Sequence, residues 1–379
     1  MVDLYTASII IFFVLLGILI YADRKKIEFK YILILRRTKK FGNLIDRIAR
    51  ISPLGWKVVG TIGIIVALYY MVQGLYLLLL ITYQISAGVI TEPALQFILP
   101  TPAATGSSGP GYILIPFWFW IITIGVILVP HEMFHGVIAR AEKIKLKSVG
   151  LLLLAIFPGA FVEPDDKQLK KASLMTKLRI FSAGSFANIL ISFAVFLLAA
   201  YVLWPIAAQP GVQILSVNET SPAASAGLES GMTLSEINGN QVTTTYQEYL
   251  SGRGYFLEEL GDAKPGDFIS VRLNEKLYNI RLGMNNETNS TYLGITYSPI
   301  LSIDSAFFLT VLMPLLTMIS LFSLAVGIVN ILPLYPLDGG LIAQALAEKV
   351  FKRRSKEVVR GLSYFILLIF IYSFLGPLL

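Results

Sequence analysis

Six stretches of this chain, residues 4–22, 58–82, 112–136, 180–206, 305–332 and 361–379, are apolar and almost free of charge. Each is long enough to cross the roughly 30 Å hydrocarbon core of a bilayer as a helix. In lipid every backbone amide must find its partner within the chain. The fold class this implies is an α-helical polytopic membrane protein with six transmembrane helices. A mean hydropathy of +0.70 with only 15% charged residues agrees. A seventh apolar run, 149–162, is too short to span and is broken by Pro158-Gly159. It is expected as a re-entrant or membrane-associated hairpin beside protein or a water cavity.

Charge sets an expected orientation. Lys and Arg fall in four segments: eleven in 23–57, nine in 140–179, six in 349–360 and five in 207–304. The first three are alternate loops between spans, so the positive-inside rule places them in the cytosol. Segment 207–304 then lies outside, and it is acidic, with eleven Asp and Glu. The first apolar run has no basic segment before it and no small-residue cleavage site, so it is expected to stay as a helix with its N-terminus outside. Both chain termini are thus expected on the outer face of a cell membrane. The net charge of +7 reflects topology and not a nucleic-acid partner, and basic loops beside a membrane attract anionic lipid. Three Asn-x-Ser/Thr sequons, at Asn218, Asn286 and Asn289, all fall in the segment assigned to the outside.

Four regions follow. Residues 1–111 hold two N-terminal spans around a basic loop, 23–57, which is expected to carry a short amphipathic helix. Their outer loop, "PTPAATGSSGPG" (100–111), has a composition expected to form a mobile linker. Residues 112–206 and 305–379 form the two parts of a membrane core. Between them, 207–304 reads as a separate α+β domain. "GVQILSV", "DFISVRLN" and "KLYNIRLG" alternate as half-buried strands, and Asn238-Gly239 marks a hairpin. "SPAASAGLESGMTLSEING" resembles the core of a circularly permuted bacterial PDZ domain, with Met232 where Asp is usual. That likeness implies that the loop Tyr292-Leu293-Gly294-Ile295 binds peptide C-termini through its backbone amides, Gly294 above all, the peptide adding as a strand. A domain that only spaces or blocks an entrance is the other reading.

The chain's two histidines are four apart, in "VPHEMFHGVIAR" at the end of the third span. Positions i and i+4 share a helix face, so His131 and His135 suit two ligands of one Zn2+ ion, with Glu132 placed to take a proton from its water. The other reading is a pair of packed histidines held by carbonyls. Ionisable groups inside a membrane are costly and functional by default, which favours the metal. Catalytic zinc usually keeps three protein ligands. The chain has no cysteine and no third histidine, so the third must be Asp or Glu. Asp338, in "VNILPLYPLDGG" after the fifth span, is the candidate, and an ordinary turn aspartate before Gly-Gly is its alternative. At about 1.5 Å per residue from 112, His131 lies about 28 Å along its helix, near the cytosolic face.

Together these motifs resemble the site-2 protease family of intramembrane zinc metalloproteases. The family's Asn-x-x-Pro-x-Pro-x-Leu-Asp-Gly is matched at Asn330, Pro333, Leu337, Asp338 and Gly339, with Tyr335 in place of the second proline. Its Gly-Pro-x-x-Asn is matched at Gly184 and Asn188, with Ser185 in place of proline, and 159–166 is similar to its membrane-associated strand. The resemblance covers roughly 112–360 and implies that Asp338 is the third ligand and Glu132 the general base. It further implies that transmembrane proteins are the substrates, cut within their spans as the second step of regulated intramembrane proteolysis, with the PDZ-like domain gating entry. Asn330 would bind the substrate backbone or steady the oxyanion. Asn188 is a candidate for the same role, with an interhelical hydrogen bond the favoured alternative. The main competing function is a non-catalytic membrane scaffold that binds client peptides through the PDZ-like domain; a second is a metal transporter, since polar groups in membranes also mark ion paths, against which stand one compact site and no internal repeat.

Overall fold

The computed structural model describes residues 3–31, 33–154, 157–251, 263–285, 290–302 and 304–378. Its main helices are α1 (Leu4–Ala22), α2 (Lys39–Ile51), α3 (Pro53–Ser86), α4 (Phe117–Ala141), α5 (Leu174–Leu198), α6 (Met313–Ile331), α7 (Asp338–Phe351) and α8 (Ser355–Leu375). Among the described residues six helical runs are long and apolar enough to cross a membrane: Leu4–Ala22, Pro53–Ser86, Phe117–Ala141, Leu174–Ala207, Phe308–Ile331 and Asp338–Leu375. Their ends differ from the sequence expectation where a local signal outweighs hydropathy. Helix α3 starts early because the Ser52 hydroxyl accepts the Gly55 amide at 3.1 Å and Pro53 opens the first turn. The last run, Asp338–Leu375, is two helices, α7 and α8, parted at Lys352, which takes φ 48°; α8 itself starts at Ser355, six residues before 361. The third starts at Phe117, since Tyr112–Pro116 is a strand. His131 is therefore about 21 Å along its helix and not about 28 Å.

The chain forms two compact units, Met1–Phe193 with Met318–Leu379, and Ala194–Thr317. In the first unit a four-stranded antiparallel sheet runs in the order β1 (Ile27–Lys30), β2 (Leu33–Arg37), β6 (Leu146–Leu154), β7 (Phe157–Pro164). The hairpin expected in 149–162 is β6–β7, registered from Ser148 opposite Glu163 to Leu154 opposite Phe157. Its partners β1 and β2 come from the basic loop 23–57, where sequence indicated only a helix. That helix is α2: Ile45 and Ala49 are buried, and Ile45 lies so close to Gly136 of α4 that a Cβ there would be 2.9 Å away. Arg140 Nε clamps the same contact by donating to Asp46 at 2.5 Å. Residues 100–111 are not a linker. They contribute to a three-stranded sheet of β3 (Phe97–Thr101), β5 (Tyr112–Pro116) and β4 (Ser107–Gly109). The glycines read as flexible serve close pairing: a Cβ on Gly106 would lie 2.7 Å from the Leu114 carbonyl oxygen.

Three helices are tied together beyond the end of α4. Glu142 is 7% exposed; Arg179 Nη1 donates to its Oε1 at 2.6 Å, Thr176 Oγ1 to its Oε2 at 3.2 Å, and Lys57 Nζ is 3.8 Å away. Removing one side of a buried pair leaves the other charge without compensation. Glu142→Ala is expected to cost roughly 2–4 kcal/mol, read as thermal unfolding in detergent. The exposed pair Arg37–Glu28 is the control, and a Glu142→Ala shift no larger than that of Glu28→Ala would refute this role for the network.

The second unit has its own core, including Val212, Ile214, Leu234, Ile237, Val271 and Ile280. Its sheet runs β12 (Lys276–Arg281), β11 (Phe268–Leu273), β9 (Thr233–Ile237), β8 (Ala208–Val217), β13 (Ile295–Leu301), with β10 (Asn240–Gln241) paired to β9. Asn238 and Gly239 take φ of 51° and 82° between β9 and β10, the left-handed pair a two-residue hairpin needs. Pro222–Ser225 forms a short helix, capped by the Ser221 hydroxyl, which accepts from Ala224 N. Asn218 is exposed, while Asn286 and Asn289 lie outside the described residues.

Candidate metal centre

Helix α4 presents His131 and His135 on one face, with their Nε2 atoms 3.2 Å apart. Asp338 reaches the pair from the first turn of α7: Oδ1 is 3.3 Å from His135 Nε2, and Oδ2 is 3.5 Å from His131 Nε2. The sequence between α6 and α7 explains how Asp338 arrives. Prolines 333 and 336 end α6, and the turn closes through Leu334 N on Leu332 O and Leu337 N on Leu334 O. Gly339 and Gly340 then let α7 press back on the end of α6. A Cβ on Gly339 would lie 1.8 Å from Ile331 O, and one on Gly340 would lie 2.4 Å from Tyr335 N.

Two features of the donor triangle fit a metal ion. Metal–donor distances of about 2.0–2.1 Å in a tetrahedral site place the donors about 3.3 Å apart; the two Nε2 atoms are 3.2 Å apart, and one donor atom from each of the three residues lies within 4.8 Å of the others. The second is the surface facing the triangle, which is Gly184 of α5. A Cβ there would be 2.3 Å from His135 Nε2 and 2.4 Å from His131 Nε2. No carbon can stand that close to either ring, so only glycine at 184 leaves the face in front of the two Nε2 atoms open. Two imidazoles and a carboxylate are also a donor set that suits zinc. Among the described residues, no other group of three His, Asp or Glu side chains meets in this way.

The surroundings hold each donor in place. His135 Nδ1 lies 2.7 Å from Ile180 O, which fixes its proton on Nδ1 and leaves Nε2 free. Ser185 Oγ donates to Asp338 Oδ2 at 2.9 Å. Sequence comparison noted Ser185 only as a missing proline, and nothing in the spacing pointed to this bond. Asn188 is fully buried, and its amide lies 3.0 Å from His131 Nδ1, the interhelical contact favoured from sequence. Binding metal through Nε2 requires Nδ1 to carry the proton, so the Asn188 amide must present its oxygen there. A half-turn of the amide does this, and it also gives a partner to an Oδ1 that is otherwise buried without one.

Glu132 points toward β7, where Val162 N donates to its Oε2 at 2.9 Å. The strand flanked by Pro158 and Pro164 is thereby pinned to the residue next to His131. This contact was not foreseen, because it joins a helix to a strand thirty residues on. Asn330 is half-buried in the last turn of α6, and its side chain has no hydrogen-bond partner among the described residues. Gly294 belongs to the second unit and takes φ +85°; a Cβ there would lie 2.1 Å from Ser221 Cβ. Its carbonyl accepts Asn218 N at 2.9 Å, fastening this loop to the start of the 222–225 helix.

Residues 119–374 match Peptidase family M50. The chain is 27% identical over 358 residues to an uncharacterised protein of Methanocaldococcus jannaschii, covering 92% of this chain and 88% of that one. It is 35% identical over 95 residues to a membrane-bound transcription factor site-2 protease homolog of Arabidopsis thaliana, which is 24% of this chain and 17% of that one. A crystal structure of the PDZ domain of an SdrC-like protein from Listeria monocytogenes overlaps 23% of this chain and 86% of that one, at 26% identity and a TM-score of 0.19.

Proposed function

The chain belongs to Peptidase family M50, a family of membrane metalloproteases, and from that premise we propose that it is a zinc-dependent endopeptidase hydrolysing peptide bonds within transmembrane segments. The observation that carries this reading is the triangle of His131, His135 and Asp338 closed over Gly184, with Glu132 on the same helix.

Zinc held by these three residues would supply an acidified water and polarise the scissile carbonyl. Glu132 takes the proton of the attacking water and passes it to the leaving amine. Its Oε2 is held by Val162 N, which leaves Oε1 for that exchange. Asn188 keeps the proton on His131 Nδ1, and Ser185 holds one oxygen of Asp338 in place. Asn330, whose amide has no partner among the described residues, donates to the developing oxyanion or to the substrate backbone. A substrate helix must unwind to be cut, and its freed amides need partners in lipid. Strand β7 lies at the edge of its sheet and runs beside Glu132, so an unwound segment pairs with it by strand addition.

In the membrane, we place the N-terminus and the 207–304 domain outside, with the basic segments in the cytosol. About 15 Å of helix separates His131 from the end of α4 at the basic segment 140–179, which puts the centre toward the cytosolic face. The PDZ-like domain gates substrates by size, making this the second cut in a two-step release. Gly294 and its neighbours then receive the newly made C-terminus. Deleting 209–300 is expected to allow substrates with intact outer domains to be cut in proteoliposomes. If the deletion variant discriminates between trimmed and intact substrates as the full chain does, gating is wrong.

The metal itself is tested by mass spectrometry of the purified protein. The wild type is expected to carry about one zinc per chain, and His131→Ala and Asp338→Ala each to lose it. Zinc retained in Asp338→Ala would separate the two motifs and remove the basis of the proposed site.

A further inference from the structure

A cavity of about 430 Å³ lies between α7 and α8, away from the donor triangle. Lys356 and Arg360 line it, one turn apart on α8 and so on one face. Neither has an ion-pair partner among the described residues. The carboxylate in the same wall, Glu348, is already engaged by Lys177 Nζ at 3.3 Å and by Gln344 Nε2 at 3.2 Å. Ser363 closes the floor. Its Oγ accepts Tyr335 N at 2.9 Å and keeps its own proton for another acceptor. The cavity therefore offers two cations without an ion-pair partner among the described residues and a hydroxyl, while the one carboxylate in its lining is held by Lys177 and Gln344.

What continues from it is apolar. Arg360 is the last charged residue of the chain. The i+4 row running on from it is Tyr364, Leu368 and Tyr372, which are 61%, 66% and 39% exposed. A single helix face thus passes from paired cations to a bare hydrocarbon-facing stripe. We infer that this cavity seats the phosphate of an anionic phospholipid, with an acyl chain lying along Tyr364 and Leu368. Arg360 gives the phosphate a planar fork of donors and Lys356 a point charge. A basic pocket between helices at the start of a membrane span is where such headgroups are held. The seat does not depend on peptidase activity.

The test is native mass spectrometry of the full chain taken from nanodiscs containing phosphatidylglycerol and phosphatidylcholine. The wild type is expected to retain phosphatidylglycerol selectively. Lys356→Gln/Arg360→Gln should bind it roughly thirtyfold more weakly, while Lys349→Gln/Arg353→Gln, which removes the same charge from the same basic segment outside the cavity, should bind as the wild type does. Equal losses in the two double variants would mean bulk attraction to the surface and overturn the proposal. Inorganic phosphate alone should give no thermal stabilisation; stabilisation matching that by phosphatidylglycerol would reassign the seat to a free anion. If the double glutamine variant fails to fold, Arg360→Gln alone carries the readout, and wild-type retention there would also overturn the assignment.

Discussion

Glu132→Gln is expected to keep about one zinc per chain and to cut a transmembrane reporter at least 10³-fold more slowly than the wild type. The two halves of this expectation come from different atoms. None of the three donors in the triangle belongs to Glu132, so the ion should stay. Glutamine can still accept the Val162 amide through its own carbonyl oxygen, so β7 stays pinned beside α4. What glutamine cannot do is accept a proton. Glu132→Ala removes the base and the tether together, and should in addition loosen the hairpin, visible as faster amide exchange in 157–164. Zinc content and cleavage are to be measured on the same preparations. Glu132→Gln protein that cuts at the wild-type rate would leave no role for Glu132 as the base, and a scaffold that happens to bind metal would become the better description.

The parts of this site that sequence revealed are those encoded within one turn or one span. His131, Glu132 and His135 are legible because a helix converts spacing into a shared face. Asp338 is legible because prolines and glycines mark where a helix must break and another can approach. The rest depends on pairing across distance. Strands β1 and β2 come from a segment whose charges outweigh its short apolar alternation. Their reason to be strands is β6, more than a hundred residues on, with Leu33 opposite Leu154. Residues 100–111 have a loop's composition, yet the glycines there make room for a neighbouring strand. Ser185 carries no pattern at all; only the approach of α7 gives its hydroxyl a carboxylate to hold. Gly184 is the same case in reverse, since what matters is the side chain it lacks.

That missing side chain gives the second large effect. Gly184→Ala is expected to abolish zinc binding while the chain remains folded. Alanine suits a helix interior better than glycine by about 1 kcal/mol, so α5 itself should gain. The added methyl, however, would stand 2.3 and 2.4 Å from the two histidine Nε2 atoms, closer than any carbon–nitrogen contact allows. The imidazoles cannot easily retreat. His135 is held through Nδ1 by Ile180 O and His131 through Nδ1 by Asn188, both on α5, the helix that brings the methyl. Helix α5 is also packed closely on α6, where a Cβ on Gly327 would lie 3.2 Å from Ser185 O, so it cannot shift without disturbing that contact. The methyl therefore takes the space between the donors, and the ion is lost. Zinc content read beside thermal unfolding separates this from simple damage: metal gone with the transition temperature of the metal-free wild type kept is the expected pair. Gly184→Ala protein that binds zinc as tightly as the wild type would mean the ion sits elsewhere, and the three donors would need another explanation.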